Sequence, residues 1–265
     1  MNRASRPLNG RVKPTDRRGA LRAGAAAALA GALATACGTT PRPAAPAPRR
    51  PAPAPHAAPA PRRLPGRPAE ITHGPRDRPR VALTFHGQGD PALARTLLGQ
   101  AEEAGARVTV LAVGSWLDAH PDLARRVLDG GHDLGNHTQR HIDVNAMTET
   151  EALAEIEACA TRLRRLTGSI GTWFRPSRTQ HAAPAVLRAA HRAGYPHVLS
   201  YDVDSLDFTS PGPAVVVRNV TGSVRAGSVV SLHFGYPDTA AALPLLLADL
   251  DRRGLRAVTT TELLT

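Results

Sequence analysis

Leu134-Gly135-Asn136-His137-Thr138-Gln139-Arg140-His141-Ile142-Asp143 decides how this chain is read. It places two histidines four residues apart. On a helix or helical turn, positions i and i+4 share a face. Two imidazoles so placed can hold one divalent metal through their ring nitrogens. The pair alone fits two exposed imidazoles on a surface turn equally well, and the residues before it narrow the choice. An apolar strand ends near Val113, Asp122 to Leu128 has helical spacing, and Gly130-Gly131 stop that helix. A short strand then delivers His137 and His141 at its C-terminal end, which is where α/β folds place their chemistry.

Working outward, Val81-Ala82-Leu83-Thr84-Phe85 is a near-continuous apolar run, as a buried parallel strand requires. Helical spacing follows from Pro91 to Ala104, then a strand from Arg107 to Val113. Thr148 to Leu166 is amphipathic and opens on Thr148 with Glu151 three residues on, a capping box. Strands are expected at Thr172–Phe174, His197–Ser200, Val229–Leu232 and Arg256–Val258, with helices at Ala182–Ala193 and Thr239–Asp251. Alternation of this kind means α/β with a parallel sheet. The number of units in this length suits a small or incomplete barrel.

Charge divides the chain. Of its 33 basic and 22 acidic residues, residues 1–69 hold 13 and one, leaving 20 and 21 for the rest. The basic excess belongs to the leader and not to the domain, so a nucleic-acid-binding surface is not expected. Residues 23–36 are apolar or small but too few to span a membrane, and they fit the core of an export signal. Arg17-Arg18 ahead of them resembles a twin-arginine signal, with ordinary secretion as the other route. Leu33-Ala34-Thr35-Ala36-Cys37 resembles a lipobox, which makes Cys37 the expected lipidation site and the outer face of the cytoplasmic membrane the expected location. Cleavage after Ala36 by the ordinary signal peptidase, with secretion, is the alternative. The expected organisation is an export signal over 1–37, a Pro/Ala/Arg-rich disordered linker over 38–78 and one domain over 79–265. Cys159, in a helical stretch, reads as a small buried apolar side chain.

Each strand end carries polar residues: His86-Gly87-Gln88-Gly89-Asp90, then His137 and His141, Arg175-Pro176, Asp202 with Asp204 and Asp207, and His233. Five such clusters at one end of a parallel sheet make a site. The series resembles the polysaccharide deacetylase (NodB-homology, carbohydrate esterase family four) family over roughly residues 79–260. His137-Thr138-Gln139-Arg140-His141 matches the family's His-Ser/Thr-x-x-His motif. Phe174-Arg175-Pro176 matches part of its third motif, with Ser177-Arg178-Thr179 in place of Pro-Tyr-Gly. Asp204-Ser205-Leu206-Asp207-Phe208 matches Asp-x-x-Asp-Trp, and Ser231-Leu232-His233 matches Leu-x-His loosely.

The resemblance implies a distorted (β/α) barrel, a divalent metal, zinc by preference, and hydrolysis of an acetamide on an N-acetylated glycan of the cell wall or extracellular space. It implies His233 as the acid for the leaving amine, with Arg175 and Asp204 orienting the reacting groups. The first motif departs from the family. Where the family has Thr-Phe-Asp-Asp-Gly, with a base and a metal ligand, this chain has Thr84-Phe85-His86-Gly87. Two repairs are open. His86 completes a three-histidine metal set with His137 and His141 and Asp90 is the base, or Asp90 binds the metal and His86 is the base. A third outcome is a degenerate lipoprotein without metal that binds glycan and does not cleave it. Arg178 stands where the motif has Tyr, which leaves the substrate preference open, an anionic substrate included.

Overall fold

The computed structural model describes residues 58–265. The export signal, Cys37 and the first part of the expected linker lie outside the described residues. Among the described residues no helix is long and apolar enough to cross a membrane.

The elements in chain order are β1 (Glu70–Ile71), β2 (Arg80–Gly87), α1 (Pro91–Glu103), β3 (Thr109–Ala112), α2 (Gly114–Ala119), α3 (Asp122–Asp129), β4 (Asp133–Asn136), α4 (Glu149–Thr167), α5 (Pro184–Arg192), β5 (Val198–Leu199), β6 (Val203–Asp204), α6 (Pro213–Thr221), β7 (Val229–His233), α7 (Pro237–Arg252), β8 (Arg256–Ala257) and α8 (Thr260–Leu264). The sheet runs β4-β3-β2-β7-β6, with β8 beside the first residues of β2, and every pairing is parallel. β1 pairs with β5. Phe174 joins the two parts by single bridges to Asn136 and Val198. This α/β order with helices packed on the sheet is compatible with a distorted barrel.

β2 explains why the sheet is covered on both sides. Its side chains alternate. Val81, Leu83 and Phe85 enter a core shared with Leu97 and Leu98 of α1 and Leu243 and Leu246 of α7. Ala82 enters a second core on the other face, with Leu111, Val229 and Leu199. Thr84 and His86 continue that inner face toward the C-terminal end of the strand. β7 repeats the pattern in register, Ala82 beside Val229, Thr84 beside Ser231 and His86 beside His233. The inner face thus changes from apolar to polar to imidazole along two neighbouring strands.

Two expectations are corrected. The linker does not extend to residue 78: Ile71 is buried in the inner core and Pro59 accepts hydrogen bonds from the hydroxyls of Ser169 and Thr172. Composition judged that segment as unable to form a core by itself, and it is ordered by a surface supplied from elsewhere in the chain. The strand expected at Thr172–Phe174 is reduced to the two bridges of Phe174. Pro213–Thr221, rich in β-branched residues, is a helix. Pro213 starts it, and Val216 and Val220 are buried in the core that α7 shares. The capping box of α4 is present, with Thr148 Oγ1 accepting from the Glu151 N–H and the Glu151 carboxylate accepting from the Thr148 N–H at 2.9 Å.

β4, which leads to the histidine pair, rests on its neighbour without a side chain between them. A Cβ on Gly135 would lie 2.5 Å from the Trp173 carbonyl oxygen and 2.8 Å from Leu111 Cδ1. Gly135→Ala is expected to destabilise the domain by about 1–3 kcal/mol, the usual cost of overpacking. The check is a urea unfolding curve with a lower midpoint and an unchanged slope.

Candidate metal centre and active site

His137 follows β4 directly and is completely buried. Its Nδ1–H donates to the Arg175 carbonyl at 2.9 Å, since a carbonyl can only accept. Nε2 therefore keeps its lone pair, and it is a buried atom with no hydrogen-bond partner. His141 is half-buried, its ring centroid 4.9 Å from that of His137. The two meet without a helix. The chain from His137 to His141 is a bent loop with Thr138 at φ 67° and His141 at φ 56°. Three groups hold this left-handed path. Asn136 Oδ1 accepts from the Thr138 N–H, Thr138 Oγ1 accepts from the His141 N–H, and buried Glu155 of α4 accepts from the N–H and Nε of Arg140. The helical-turn expectation for this pair is thus wrong, although the proximity it predicted is present.

His86 completes the cluster, its centroid 4.2 Å from that of His137. One nitrogen from each of His86, His137 and His141 lies within 4.8 Å of the others. Arg175, fully buried, ties this cluster to the fold. Its guanidinium donates to the carbonyls of Leu199 and Ser200, to Thr84 Oγ1 and, at 3.2 Å, to His86 Nε2. An arginine only donates, so that nitrogen is the acceptor. Burial comes first among the causes that push all three histidines toward the neutral form. His86 and His137 are held well below 6.5, and His141 is lowered to about 4, with the Arg178 charge as its second cause. Neutral imidazoles with an orphaned ring nitrogen between them fit a divalent metal. His137 and His141 are the firmer donors, because His86 would give up either its Arg175 bond or its Nδ1 proton.

Asp90 is not in this site. It is exposed and caps α1, accepting from the Ala92 N–H at 2.8 Å. The Pro91 that starts the helix fixes it there, so Asp90 is neither the base of the first repair nor the metal ligand of the second, while the three-histidine set of the first remains. Nor is Gly87 a vacant ligand position, since a Cβ there would point 3.0–3.1 Å from Val110 Cγ1 and Ala112 Cα of β3.

His233 lies beside His86, ring centroids 4.3 Å apart. Its Nδ1–H donates to Asp207 at 2.6 Å, and Asp207 also accepts from the His233 N–H and Thr239 Oγ1. The completely buried Asp207, and not Asp204, is thus the carboxylate that orients His233. Asp204 instead accepts from the Leu206 N–H at 3.0 Å and from Tyr201 at 3.4 Å, and Tyr201 underlies Arg175. His86, His141, Arg178, Asp204, Phe208 and His233 line one cavity of about 360 Å³. A larger cavity, about 620 Å³, lies among α1, α7 and β8 and shares none of these residues.

A peptidoglycan-N-acetylglucosamine deacetylase of Bacillus cereus is 31% identical over 188 residues, covering 69% of this chain and 87% of that relative. The chain belongs to the polysaccharide deacetylase family. The sequence model of that family matches residues 73–198. A chitooligosaccharide deacetylase of Bradyrhizobium is 29% identical over 197 residues, covering 66% of this chain and 85% of that one. Among solved structures, a peptidoglycan N-acetylglucosamine deacetylase aligns with TM-score 0.69 at 24% identity, over 74% of this chain and 92% of its own. A family pseudoenzyme from Bacillus anthracis aligns with TM-score 0.69 at 23% identity, over 75% and 70%. These structural likenesses establish the fold, which is that of deacetylases and of a pseudoenzyme alike.

Asp207, Glu155 and Thr84 are residues of this deacetylase-family site to which reading the sequence gave no role. Asp207 stood in the Asp-x-x-Asp pattern, where spacing gave no reason to prefer it to Asp204. Glu155 had a visible signal, a carboxylate on the face of α4 that otherwise buries Ala152, Ile156 and Cys159.

Two predictions follow from this geometry. The unfolded chain takes up protons on these histidines near 6.5, before the folded chain does. Their stabilising contribution to the metal-free protein is therefore full above about pH 6.5 and is lost as the pH falls toward about 4. The thermal midpoint should fall more steeply between pH ~7 and ~5 in the parent than in His137→Asn. Separately, metal analysis after incubation with zinc should find about one ion per chain in the parent and in Asp90→Ala, and none retained in His137→Ala. Asp90→Ala should lose only its cap, worth about 1 kcal/mol in unfolding.

Proposed function

We propose that this chain is a metal-dependent hydrolase that removes N-acetyl groups from a cell-wall or extracellular N-acetylglucosamine-type glycan. The observation that carries the reading is the His233–Asp207 pair facing the three-histidine cluster across one cavity. His137, His141 and His86 would hold the metal, with zinc favoured by an all-imidazole donor set. Such an ion supplies Lewis acidity toward an acetamide carbonyl and toward a water.

The chain's own groups divide the remaining work. Asp207 fixes the proton on His233 Nδ1, which leaves Nε2 for the cavity. A neutral Nε2 can take a proton from the attacking water, and the resulting imidazolium, stabilised by Asp207, can return it to the leaving amine. No carboxylate from the end of β2 faces the cavity, and His86 Nε2 is already engaged by Arg175, so His233 is assigned both transfers. Arg175 positions His86 through its side chain and His137 through its carbonyl. Phe208 and Tyr236 flank His233, with ring centroids 5.5 and 5.8 Å away, and offer apolar faces to a sugar ring.

A second reading, glycan binding without cleavage, is favoured by one observation: Asp90 sits at the α1 cap and leaves the first strand end without a carboxylate base. Acetate release from N-acetylglucosamine oligomers by the zinc-loaded chain separates the two. The deacetylase reading expects turnover that drops by about 10²–10⁴ in His233→Ala and by at least about tenfold in Asp207→Asn. Saturable oligomer binding with no acetate released by the parent would establish the second reading instead.

A further inference from the structure

The histidines lie at the C-terminal end of the parallel sheet, and arginines collect at the other end. Arg80 opens β2, Arg256 opens β8, and the two are direct partners in the parallel register. Arg107 precedes β3, and its N–H donates to the Ala257 carbonyl at 3.2 Å. These three arginines line one hollow of about 120 Å³ with Val258, Glu262 and Thr265. Like charges opposite each other on neighbouring strands are destabilising. The register thus holds Arg80 beside Arg256 at a cost that an anion between them would remove.

The anions already present do not cancel these charges. Glu262 pairs with Arg107 at 2.6 Å, and its other oxygen accepts from the Thr259 N–H. The Arg80 side chain donates to the Glu262 carbonyl at 3.1 Å and not to a carboxylate. Arg256 is exposed and, among the described residues, makes no side-chain hydrogen bond or ion pair; it also lines the larger cavity with Glu103 and Asp251 and pairs with neither. Arg78 and Arg225 stand close by. The Arg80 N–H donates to the Arg78 carbonyl at 2.8 Å, and its carbonyl accepts from the N–H of Gly227 at 2.7 Å. Arg76 and Asp202 neutralise each other as an ion pair. Five guanidinia therefore face Glu262, Asp77 and the carboxylate of Thr265.

We propose that this end of the domain is a binding site for a phosphoryl group, gripped by Arg80, Arg107 and Arg256. Guanidinium forks converging from three strand starts offer more donors than the two oxygens of a carboxylate accept, and they suit a tetrahedral phosphate ester. The ester is either a free phosphate compound or the head group of an anionic lipid. Bound there, it leaves the histidine-lined cavity at the opposite end of the sheet facing away from it. The inference is independent of the deacetylase reading.

The test follows the thermal midpoint of the full chain, without added metal, as inorganic phosphate replaces chloride at constant ionic strength. The midpoint of the parent should rise along a saturating curve. Arg256→Gln should need about tenfold more phosphate for the same rise, and in chloride its midpoint should be no lower than that of the parent. Arg165→Gln removes an exposed arginine from the end of α4 and should respond like the parent. No saturating rise in the parent overturns the inference, as does an equal response in Arg256→Gln or an equal loss in Arg165→Gln. Sedimentation with vesicles of phosphatidylglycerol in phosphatidylcholine then identifies the source. Partitioning weakened about fivefold in Arg256→Gln but not in Arg165→Gln assigns the site to lipid head groups. Equal partitioning of the two variants, beside the phosphate response, assigns it to free phosphate compounds.

Discussion

Arg175 is a buried cation without a buried anion, and the site is built around it. Removing a guanidinium from water is costly unless its donors are all met. Here four of its five N–H donors are met by the ends of the strands that must converge: the Leu199 and Ser200 carbonyls at the end of β5, and Thr84 and His86 on β2. Burial lowers its pKa only to about 10, so the charge persists at neutral pH. The same residue's carbonyl sets the tautomer of His137. One side chain and one peptide group thus determine which nitrogens of two histidines are free.

That arrangement needs the sheet to deliver its residues in phase. A strand has a period of two, so a slip of one residue between β2 and β7 would turn His86 or His233 into the helix-facing core. The outer faces of both strands are large and apolar, Leu83 and Phe85 on one, Val230 and Leu232 on the other. Burial of those side chains against α1, α6 and α7 fixes the phase. The hydrophobic core is therefore also what places the two imidazoles 4.3 Å apart.

The loop that carries His137 and His141 is set differently. Two non-glycine residues at positive φ are unfavourable for an isolated chain. Asn136, Thr138 and Glu155 compensate with hydrogen bonds, one of them reaching in from α4. The first strand end carries histidine and glycine instead of carboxylates, so the cluster at this end of β2 is built from imidazoles alone.

The parallel α/β architecture, the central strand at Val81–Phe85, the capped helix at Thr148 and the polar strand ends were legible in the sequence, because periodicity, capping and turn residues are local properties. So was the grouping of His86, His137, His141, Arg175 and His233, since each ends or follows a segment that the sequence reads as a parallel strand. What the sequence left open was decided by contacts distant along the chain. Asp90 was a nearby carboxylate until Pro91 and the start of α1 claimed it as a cap. Asp204 and Asp207 were equivalent by spacing until β7 brought His233 to one of them and burial removed it from water. The segment before Arg80 had no core of its own until β5 and the Ser169–Thr172 turn supplied one. Local patterns name the residues that can do chemistry, but only packing determines which lone pairs are left free, because a hydrogen bond formed elsewhere in the fold takes a donor or acceptor out of use.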